Sequence, residues 1–320
     1  MKENDEFKSG FVSIVGRTNV GKSTLINGLV GEKVAITANK TQTTRTAIKA
    51  ILNDESYQIV LTDTPGIHKP KTKLNETMIE TAFSSFSDVD VILFLIEADS
   101  KEIGRGDNRI IEKIKESKKP CILVINKIDL VDKREILKII ELYKNEYDFK
   151  AIVPVSASKK QGFDDLLKEI LLLLPNGPKY YDDEEYTDQT MRQITEEIIR
   201  EKALKLLNDE VPHGIYIEVE SFKERTTKQG NSIIDVDATI YCLRESHKGI
   251  IIGKGGSMLK RIASSARVDL EKMFDTKINL KVWVKVKENW QENDSLVKKI
   301  FGKDNWLRYV LKERKKYEIC

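Results

Sequence analysis

An eight-residue segment, Gly16–Ser23, has the residue types that hold nucleotide phosphates. Its sequence GRTNVGKS has the spacing G-x-x-x-x-G-K-S, in which the two glycines let the backbone wrap closely around an anion. Backbone N–H groups and the start of the following helix then face the anion. We expect Lys22 to contact the β- and γ-phosphates and the Ser23 hydroxyl to bind Mg²⁺. The predicted contacts are Gly16, Arg17, Thr18, Asn19, Val20, Gly21, Lys22, Ser23 and Thr24.

A second motif, Asn126-Lys127-Ile128-Asp129, indicates that the base is guanine. The Asp129 carboxylate can accept hydrogen bonds from guanine N1–H and N2–H₂, a donor pair that adenine lacks. A buried carboxylate left unpaired would reject adenine by roughly 10⁴-fold. Asn126 is expected to brace the pocket, and the stem of Lys127 can lie along the base. Backbone amides farther along the chain are expected to meet guanine O6, at Ser156, Ala157 and Ser158.

A third motif lies between these two, in Asp63-Thr64-Pro65-Gly66. A carboxylate at the end of a strand can hold Mg²⁺, directly or through water. The Gly66 N–H can bond the γ-phosphate, so this loop would sense whether that phosphate is present. With these motifs in this order, the chain resembles the translational P-loop GTPases, which carry five such motifs.

That resemblance implies a switch threonine within 39–45 that closes on Mg²⁺ when GTP is bound. Thr43 and Thr44 both fit, and the sequence does not choose between them. The resemblance thus implies a metal site formed by Ser23, Asp63 and one of these threonines. The residues expected to support hydrolysis are Lys22, Thr43, Thr44 and Gly66.

One departure from the GTPase pattern concerns the rate of hydrolysis. Many regulatory GTPases place a glutamine directly after the D-x-x-G glycine to orient the attacking water, and here that position is Ile67. We therefore expect slow intrinsic hydrolysis, completed by switch ordering, a monovalent cation or a partner. Asn19 resembles the asparagine of potassium-stimulated GTPases, which implies K⁺ as that cation.

The elements that position these motifs are short apolar runs, and each run ends where a motif begins. They are Phe11–Val15, Tyr57–Thr62, Cys121–Ile125 and Ala151–Val155. We predict an α/β P-loop GTPase domain with a mostly parallel, doubly wound sheet over residues 1–175. The sequence Pro175-Asn176-Gly177-Pro178 marks its end, and an acidic segment rich in tyrosine makes 176–190 a predicted linker.

The pattern restarts over residues 191–290, where it predicts the order α-β-β-α-α-β. The predicted elements are a helix at 191–207, strands at 215–219 and 233–243, a short helix near 247–252, a helix at 257–273 and a strand at 278–286, with a charged turn at 223–231. With Gly253-Lys254-Gly255-Gly256 between two helices, this order resembles a type II KH domain. Such a G-x-x-G loop clamps about four single-stranded nucleotides. The expected RNA contacts are Lys248, Ile251, Ile252, Gly253, Lys254, Gly255, Gly256 and Lys260, the two isoleucines forming an apolar floor for bases.

The charge distribution is consistent with RNA binding by the second half. The whole chain has 54 Lys and Arg against 51 Asp and Glu, a net charge of +3. From Arg244 onward there are 19 basic and 10 acidic residues, giving +9. Near the end of the domain Lys281, Lys285 and Lys287 alternate with valines, so that the lysines share one face of a strand. A basic end on a slightly acidic body suits contacts with phosphates.

A GTPase domain followed by a KH domain resembles the Era family of bacterial GTPases. The resemblance implies a GTP-hydrolysing switch, cycling between GTP and GDP, that binds 16S rRNA near its 3′ end and acts in assembly of the 30S ribosomal subunit. It also implies a cytoplasmic protein in peripheral contact with the inner face of the cell membrane. We expect a monomer in which nucleotide state and RNA affinity are reciprocally coupled. Residues 291–320 predict a basic amphipathic tail that packs on the protein, contacts RNA or contacts membrane.

Three alternatives remain open from the sequence. The KH-like domain can bind a protein in place of RNA, the basic tail can make the chain a membrane-surface switch, and the phosphate loop can belong to a metabolic enzyme that transfers phosphate to a small acceptor. The residues show no dedicated acceptor site, and the guanine motif favours a nucleotide switch. The start of the chain, Met1–Gly10, is polar, and no apolar run approaches the roughly 20 residues of a membrane span.

Overall fold

The chain forms two compact units. The computed structural model describes residues 7–38, 40, 43–67, 70 and 72–302, with only the backbone for 301–302. Among these residues, the first unit contains Thr44–Asp188 together with 7–35 and 297–302. The second contains Ile36–Thr43 and Gln189–Leu296. Ile36–Thr43 therefore belongs to the second unit, whereas the chain from Thr44 onward returns to the first.

A six-stranded sheet forms the centre of the first unit. Its strands are β1 (Lys8–Gly16), β2 (Ile48–Asn53), β3 (Tyr57–Asp63), β4 (Val91–Glu97), β5 (Cys121–Asn126) and β6 (Ala151–Pro154). They lie in the order β2-β3-β1-β4-β5-β6, and all neighbours are parallel except β2 and β3. This is the predicted α/β sheet of a P-loop GTPase.

Helices cover both faces of this sheet. They are α1 (Lys22–Val30), α2 (Lys73–Ser84), α3 (Arg105–Ser117), α4 (Lys133–Tyr143) and α5 (Phe163–Leu173). Two successive residues of β4 lie on opposite faces and both are covered. Leu93 packs with side chains of α1 and α5, and Phe94 packs with side chains of α3 and α4. Because both faces are buried, the strands are continuous apolar runs and do not alternate with polar residues.

The carboxyl ends of the parallel strands meet at one edge of the sheet. β1 leads into Gly16–Ser23, β3 into Asp63–Gly66, β5 into Asn126–Asp129 and β6 into Ser156–Ser158. Ligands of open α/β sheets bind outside the carboxyl ends of strands. The fold thus brings together the four loops singled out by sequence.

Residues 176–188, predicted as part of a linker, lie along the first unit. Lys8 and Ala50 form β-bridges with Asn176 and Thr187. The Gln58 side chain accepts from the backbone N–H groups of Tyr180 and Tyr181 at 2.6 and 3.0 Å. Their rings also pack against the core of this unit. Packing therefore explains Tyr180 and Tyr181.

The second unit has the predicted order α-β-β-α-α-β. Its elements are α6 (Met191–Leu206), β7 (Tyr216–Thr226), β8 (Ser232–Cys242), α7 (Glu245–Ile252), α8 (Ser257–Phe274) and β9 (Lys277–Val286). Central β8 pairs antiparallel with β7 and parallel with β9. Side chains of the three helices and the inner face of the sheet share one core.

One strand of this unit is longer than predicted. The sequence predicts a charged turn from residue 223, but β7 continues to Thr226 and the turn is confined to 227–231. Arg225 faces solvent and forms an ion pair with Asp235 of β8. Charged side chains are compatible with the open face of an edge strand, so their presence is a weak signal for a turn.

The end of the second unit is anchored by Trp290. Its ring is 1 % exposed, and its indole N–H donates to the Gly214 carbonyl at 2.9 Å. Helix α9 follows at Asp294–Gly302. The rest of the predicted tail, 303–320, lies outside the described residues. Within the described part of the chain, no helix combines the length and the apolar character needed to cross a membrane.

Candidate functional site

The loop Gly16–Ser23 depends on glycine for its shape. Gly21 has φ +100° and stands at the N-terminus of α1, and a Cβ atom there would overlap the side-chain amide of Asn126. A Cβ atom on Gly16 would overlap the Leu95 carbonyl. Asn19 also has positive φ, at 65°. The loop is therefore packed against its neighbours so tightly that side chains are excluded at both glycines.

Lys22 lies buried at the start of α1. Its Nζ donates to the Gly16 carbonyl at 3.2 Å and to the Arg17 carbonyl at 2.9 Å. Burial lowers the pKa of Lys22 to about 8, an effect that the nearby Asp63 carboxylate partly offsets. An anionic phosphate in the loop would restore the charge that burial disfavours. This cation is thus poised for a phosphate ligand.

Three side-chain oxygens converge beside Lys22. Ser23 Oγ and Thr44 Oγ1 donate to Asp63 Oδ2 at 2.8 and 2.9 Å, and the two hydroxyls are 3.1 Å apart. Hard cations such as Mg²⁺ prefer oxygen ligands, and Mg²⁺ is commonly held by one carboxylate together with substrate phosphates. The described residues contain no group of three His, Cys, Asp or Glu side chains arranged for a metal. A hydroxyl–carboxylate set of this kind fits Mg²⁺.

The two threonines left open by the sequence have different surroundings. The Thr44 hydroxyl belongs to the oxygen cluster just described. The Thr43 hydroxyl instead donates to the carbonyls of Ala38 and Lys40, at 3.2 and 2.6 Å. Of the predicted switch segment 39–45, residues 39, 41 and 42 lie outside the described residues. The geometry favours Thr44 as the metal-directed threonine.

The loop after β3, Asp63–Gly66, packs closely against β1 and the phosphate loop. Thr64 Oγ1 donates to the Ile14 carbonyl at 2.7 Å, and Pro65 is buried. A Cβ atom on Gly66 would lie 2.9 Å from Thr18 Cα, so glycine permits this close approach. The side chain of Ile67 is 3 % exposed and packs into the core. It is therefore directed away from any water that attacks a bound phosphate.

Asn126 connects two of the loops. Its side-chain NH₂ donates to the Val20 carbonyl at 2.7 Å, and its oxygen accepts from the Ala157 N–H at 2.9 Å. The Ala157 amide, predicted to meet guanine O6, is thus already engaged by Asn126. Thr24 lies half-buried in the first turn of α1. Asn126 holds the phosphate loop and the loop after β6 at a fixed separation.

The Asp129 carboxylate is exposed where a base would lie. It accepts from Ser156 Oγ at 2.6 Å and from Ser158 Oγ at 3.4 Å. The hydrogen bond from Ser156 is the main reason that the pKa of Asp129 lies below its ordinary value. Lys127, with φ +66°, forms an ion pair with Glu97. The carboxylate is therefore ionised, positioned and free to accept further donors.

One buried group beside the phosphate loop was missed by the sequence reasoning. Arg17 Nε lies 3.2 Å from Oδ1 of Asp107, a fully buried residue of α3. Tyr143 Oη donates to the other carboxylate oxygen at 3.2 Å. Burial raises the pKa of Asp107, and Arg17 opposes that shift. Asp107 lies in an ordinary amphipathic helix and belongs to no recognisable motif. The sequence therefore gave no indication that it contacts Arg17.

The second candidate site is the G-x-x-G turn between α7 and α8. Gly253, Gly255 and Gly256 have φ values of 73°, 58° and 80°. A Cβ atom on Gly253 would lie 2.9 Å from Met258 N, whereas Gly255 and Gly256 face open space. Lys254 at the tip is exposed. The turn presents backbone and one cation to solvent.

The predicted apolar floor of this site needs correction. Ile251 is fully buried in the core of the second unit, so its side chain cannot contact a base. Ile252 is half-buried, and the exposed isoleucine is Ile250, at 51 %. Lys248 lies 3.6 Å from Glu245, and Lys260 is exposed. Three consecutive isoleucines in a short helix point in different directions, so sequence alone did not identify the exposed one.

The second unit includes Ile36–Thr43, which leads into the predicted switch segment and contains its first residues. The side chain of Ile36 lies in the core that contains α6. The Thr37 N–H donates to Glu201 at 3.2 Å, and the buried Arg200 donates to the Thr43 carbonyl. Glu201 is fully buried. The residue immediately before Thr44 is thus bonded to α6.

Family comparisons agree with this two-part organisation. A family model described as a 50S ribosome-binding GTPase matches residues 11–127, and a KH domain model matches residues 210–291. The first range contains the phosphate loop and extends to Lys127. The second contains the G-x-x-G turn.

The chain is also similar over most of its length to known relatives. It is 53 % identical over 293 residues to GTPase Era of Thermoanaerobacter sp. (strain X514), covering 92 % of this chain and 96 % of the relative. It is 56 % identical over 286 residues to GTPase Era of Clostridioides difficile (strain 630), covering 89 % and 95 %.

Two solved structures have the same fold. The crystal structure of Era in complex with MgGDPNP and nucleotides 1506–1542 of 16S ribosomal RNA matches with a TM-score of 0.87 and 38 % identity, covering 92 % of this chain and 99 % of that one. A tyrosine-to-alanine variant of Aquifex aeolicus Era bound to GDP·AlF₄⁻ matches with a TM-score of 0.87, 39 % identity and the same coverage. From its two units, its motifs and these relatives, the chain belongs to the GTPase Era family.

Proposed function

We propose that this protein is a GTP-hydrolysing switch that binds 16S rRNA near its 3′ end and acts in assembly of the 30S subunit. The observation that carries the proposal is the position of Thr44. Its hydroxyl joins Ser23 and Asp63, while the preceding Thr43 is bonded to α6 of the KH unit. A ligand that moves Thr44 would therefore also pull on Thr43, which is bonded to α6 of the KH unit.

In the proposed nucleotide complex, Lys22 and the backbone N–H groups of Gly16–Ser23 bind the phosphates, and Asp129 binds the guanine edge. Ser23, Thr44 and Asp63 would hold Mg²⁺, which when bound neutralises charge on the β- and γ-phosphate oxygens. To do so, the two hydroxyls must give up their hydrogen bonds to Asp63. Binding of a triphosphate and its metal would thus exchange these hydrogen bonds for metal contacts.

In hydrolysis a water attacks the γ-phosphorus and the bond to the β,γ-bridging oxygen breaks, giving GDP and phosphate. In this proposal Lys22 supplies positive charge beside the transferred group, and the Gly66 N–H bonds a γ-oxygen. Ile67 offers no hydrogen bond to the attacking water because its side chain is in the core. We therefore propose a slow intrinsic rate that ordering of the switch by RNA increases.

We further propose that K⁺ assists this reaction through Asn19, an exposed residue with φ +65° in the phosphate loop. A cation beside this loop would add positive charge where negative charge develops. GTP hydrolysis should be faster in KCl than in NaCl at equal ionic strength, and Asn19→Ala should remove the difference. Equal rates in both salts for the unaltered protein would refute the role of K⁺.

We also propose a cytoplasmic monomer that makes peripheral contact with the inner face of the cell membrane. Residues 303–320 contain six Lys and Arg against three Asp and Glu, a charge that suits anionic lipid. Flotation with phosphatidylglycerol vesicles should retain the full chain more strongly than a chain ending at residue 302. Light scattering should give the mass of one chain, 36.7 kDa.

The central test is binding of a labelled RNA corresponding to nucleotides 1506–1542 of 16S rRNA, at fixed salt. Binding should be tighter with a non-hydrolysable GTP analogue than with GDP, and Gly255→Asp should abolish it. Gly230→Asp is the matched control, because Gly230 also has positive φ, 85°, and open space around it, but lies in the β7–β8 turn.

The outcomes of this test separate the alternatives. Equal binding in both nucleotide states would leave two independent modules and contradict the switch. No binding in either state would contradict the RNA proposal and favour a protein or membrane partner. Loss of binding in Gly230→Asp as well as Gly255→Asp would show that the effect is not specific to the G-x-x-G turn.

A further inference from the structure

The outer face of β9 carries a row of lysines with one tryptophan in its middle. β9 is an edge strand, and its side chains alternate strictly between two faces. Val282 and Val284 pack against the core of the second unit. The outward positions are Lys277, Asn279, Lys281, Trp283 and Lys285, and Lys287 follows the strand. Because the side chains alternate, a strand register that buried Trp283 would expose the valines.

Trp283 is unusually exposed for its size. It is 58 % exposed, whereas the other described tryptophan, Trp290, is 1 % exposed. Within the part of the chain that the structure describes, no ring packs on Trp283. By contrast, Tyr241 on the same face stacks on Tyr216 with ring centroids 4.6 Å apart. A large aromatic surface is therefore open to solvent between Lys281 and Lys285.

The outer face beside Trp283 is polar and supplies hydrogen-bond acceptors. By strand register, Thr239 lies opposite Trp283, and Asp237 lies opposite Lys281. Glu220 accepts from Thr239 at 2.7 Å and pairs with Lys285 at 3.1 Å. Thr239 is fully buried, so the acceptors open to a ligand are the Asp237 and Glu220 carboxylates, which can accept from the amino groups of base edges. The acceptors thus adjoin the aromatic ring, and the cations continue along the edge strand.

We propose that the outer face of β9 is a second binding surface for single-stranded RNA, with an unstacked base on Trp283 and flanking phosphates at Lys281 and Lys285. This deepens the proposed function and rests on it. Aromatic side chains that stack bases, combined with cations that follow the backbone, are typical of single-strand binding. The surface lies on the side of the sheet opposite the helices, and the G-x-x-G turn lies between two of those helices.

Charge distinguishes RNA from two other occupants. Residues 303–320 carry a net charge of +3, so the chain's own tail does not complement a row of lysines. An anionic membrane would be repelled by Asp237 and Glu220. On this face Trp283 is, among the described residues, the single exposed large apolar side chain. A single strand can place its phosphates on the lysines and a base edge beside the acids.

The test uses the full chain with the GTP analogue and the RNA fragment described above. Trp283→Ala should weaken RNA binding about 5- to 100-fold without changing its salt dependence, because it removes stacking and no charge. Trp283→Phe should restore most of the affinity. Lys281→Gln should weaken binding and reduce the slope of log K against log [salt] by about 1. Val268→Ala, at another exposed apolar position, is the control.

Each result bears on the proposal in a defined way. If the unaltered protein binds and Trp283→Ala binds equally well, this surface is not used and the proposed function stands. If the unaltered protein does not bind, both fail. Loss of affinity that Trp283→Phe does not restore would refute stacking. If Trp283→Ala instead loses retention on phosphatidylglycerol vesicles and keeps RNA affinity, the face binds membrane and the RNA proposal is overturned.

Discussion

The two glycine loops of this protein differ in what their glycines face. In the phosphate loop, a side chain at Gly16 or Gly21 would overlap the protein's own atoms. In the G-x-x-G turn, Gly255 and Gly256 have nothing within 4 Å. The cations differ in the same way, since Lys22 is 6 % exposed and Lys254 is exposed. One site is formed by tight packing inside a domain, and the other is a projecting surface.

Two loops of similar composition are thus suited to two different forms of phosphate binding. A buried loop encloses a terminal phosphate group and excludes water, which strengthens charge interactions. An exposed turn allows a polynucleotide backbone to pass across it. Substitutions in the first loop should therefore disturb folding and nucleotide binding together, while those in the second should act on the RNA ligand.

The largest expected effect is on base selectivity in the buried site. Asp129→Asn should lower affinity for GDP about 10³-fold and raise affinity for xanthosine diphosphate, because the carboxamide can donate to O2 of xanthine. Competition binding with the two nucleotides measures the change. Retained preference for guanine would contradict the base-reading role of Asp129, and RNA binding by nucleotide-free protein should be unaffected.

The next effect compares the glycines directly. Gly21→Ala should weaken GDP binding about 100-fold and lower the melting temperature, because the new Cβ overlaps the Asn126 amide at φ +100°. Gly255→Ala should cost about 1 kcal/mol of stability for its left-handed backbone and leave GDP affinity unchanged. Calorimetric titration and thermal melts on both variants test this. Equal losses would contradict the contrast between packed and open loops.

A smaller effect separates the two adjacent threonines. Thr44→Ala should slow single-turnover GTP hydrolysis about 10- to 100-fold at saturating Mg²⁺, because it removes a metal-directed hydroxyl. Thr43→Ala should change the rate less than about 3-fold, since its hydroxyl donates to carbonyls of its own segment and not to the oxygen cluster. The opposite ranking would assign the metal to Thr43. GDP affinity serves as the control for intact folding.

The smallest expected effect is proton uptake by Lys22 when GDP binds. Burial lowers the pKa of Lys22 to about 8 without ligand, and a bound phosphate should raise it. Binding of GDP should therefore take up about half a proton at pH 8 and less at pH 7, and affinity should fall as pH rises through 8. Calorimetry in two buffers with different ionisation enthalpies measures the uptake. Lys254→Ala should leave it unchanged, and absence of uptake would contradict the depressed pKa.

Local patterns were sufficient to predict the GTPase fold followed by a KH domain, and the loops that lie together at the edge of the sheet. Each nucleotide motif directly follows an apolar run, so the parallel sheet and the meeting of the four loops at its edge could be inferred. The KH order followed from periodicity and the G-x-x-G turn. The predicted strand at 215–219 was too short because charges on the open face of an edge strand resemble those of a turn.

The remaining features depend on distant residues. Asp107 is nearly a hundred positions from the phosphate loop in sequence, and only packing brings its carboxylate to Arg17. Burial of Ile251 and exposure of Ile250 depend on how a short helix rotates against its core. The exposure of Trp283 requires that β9 be an edge strand with an uncovered face.

The sequence by itself was enough to predict the chemistry proposed for this protein: a phosphate loop, a carboxylate for guanine and a KH-type glycine turn, each encoded by adjacent residues. Only the tertiary structure distinguished Thr43 from Thr44, and it favours Thr44 for the proposed metal site. The two hydroxyls are neighbours in the chain, yet one lies with Ser23 and Asp63 and the other within a segment bonded to α6. Motif chemistry is local, whereas the partners of a side chain are set by long-range packing.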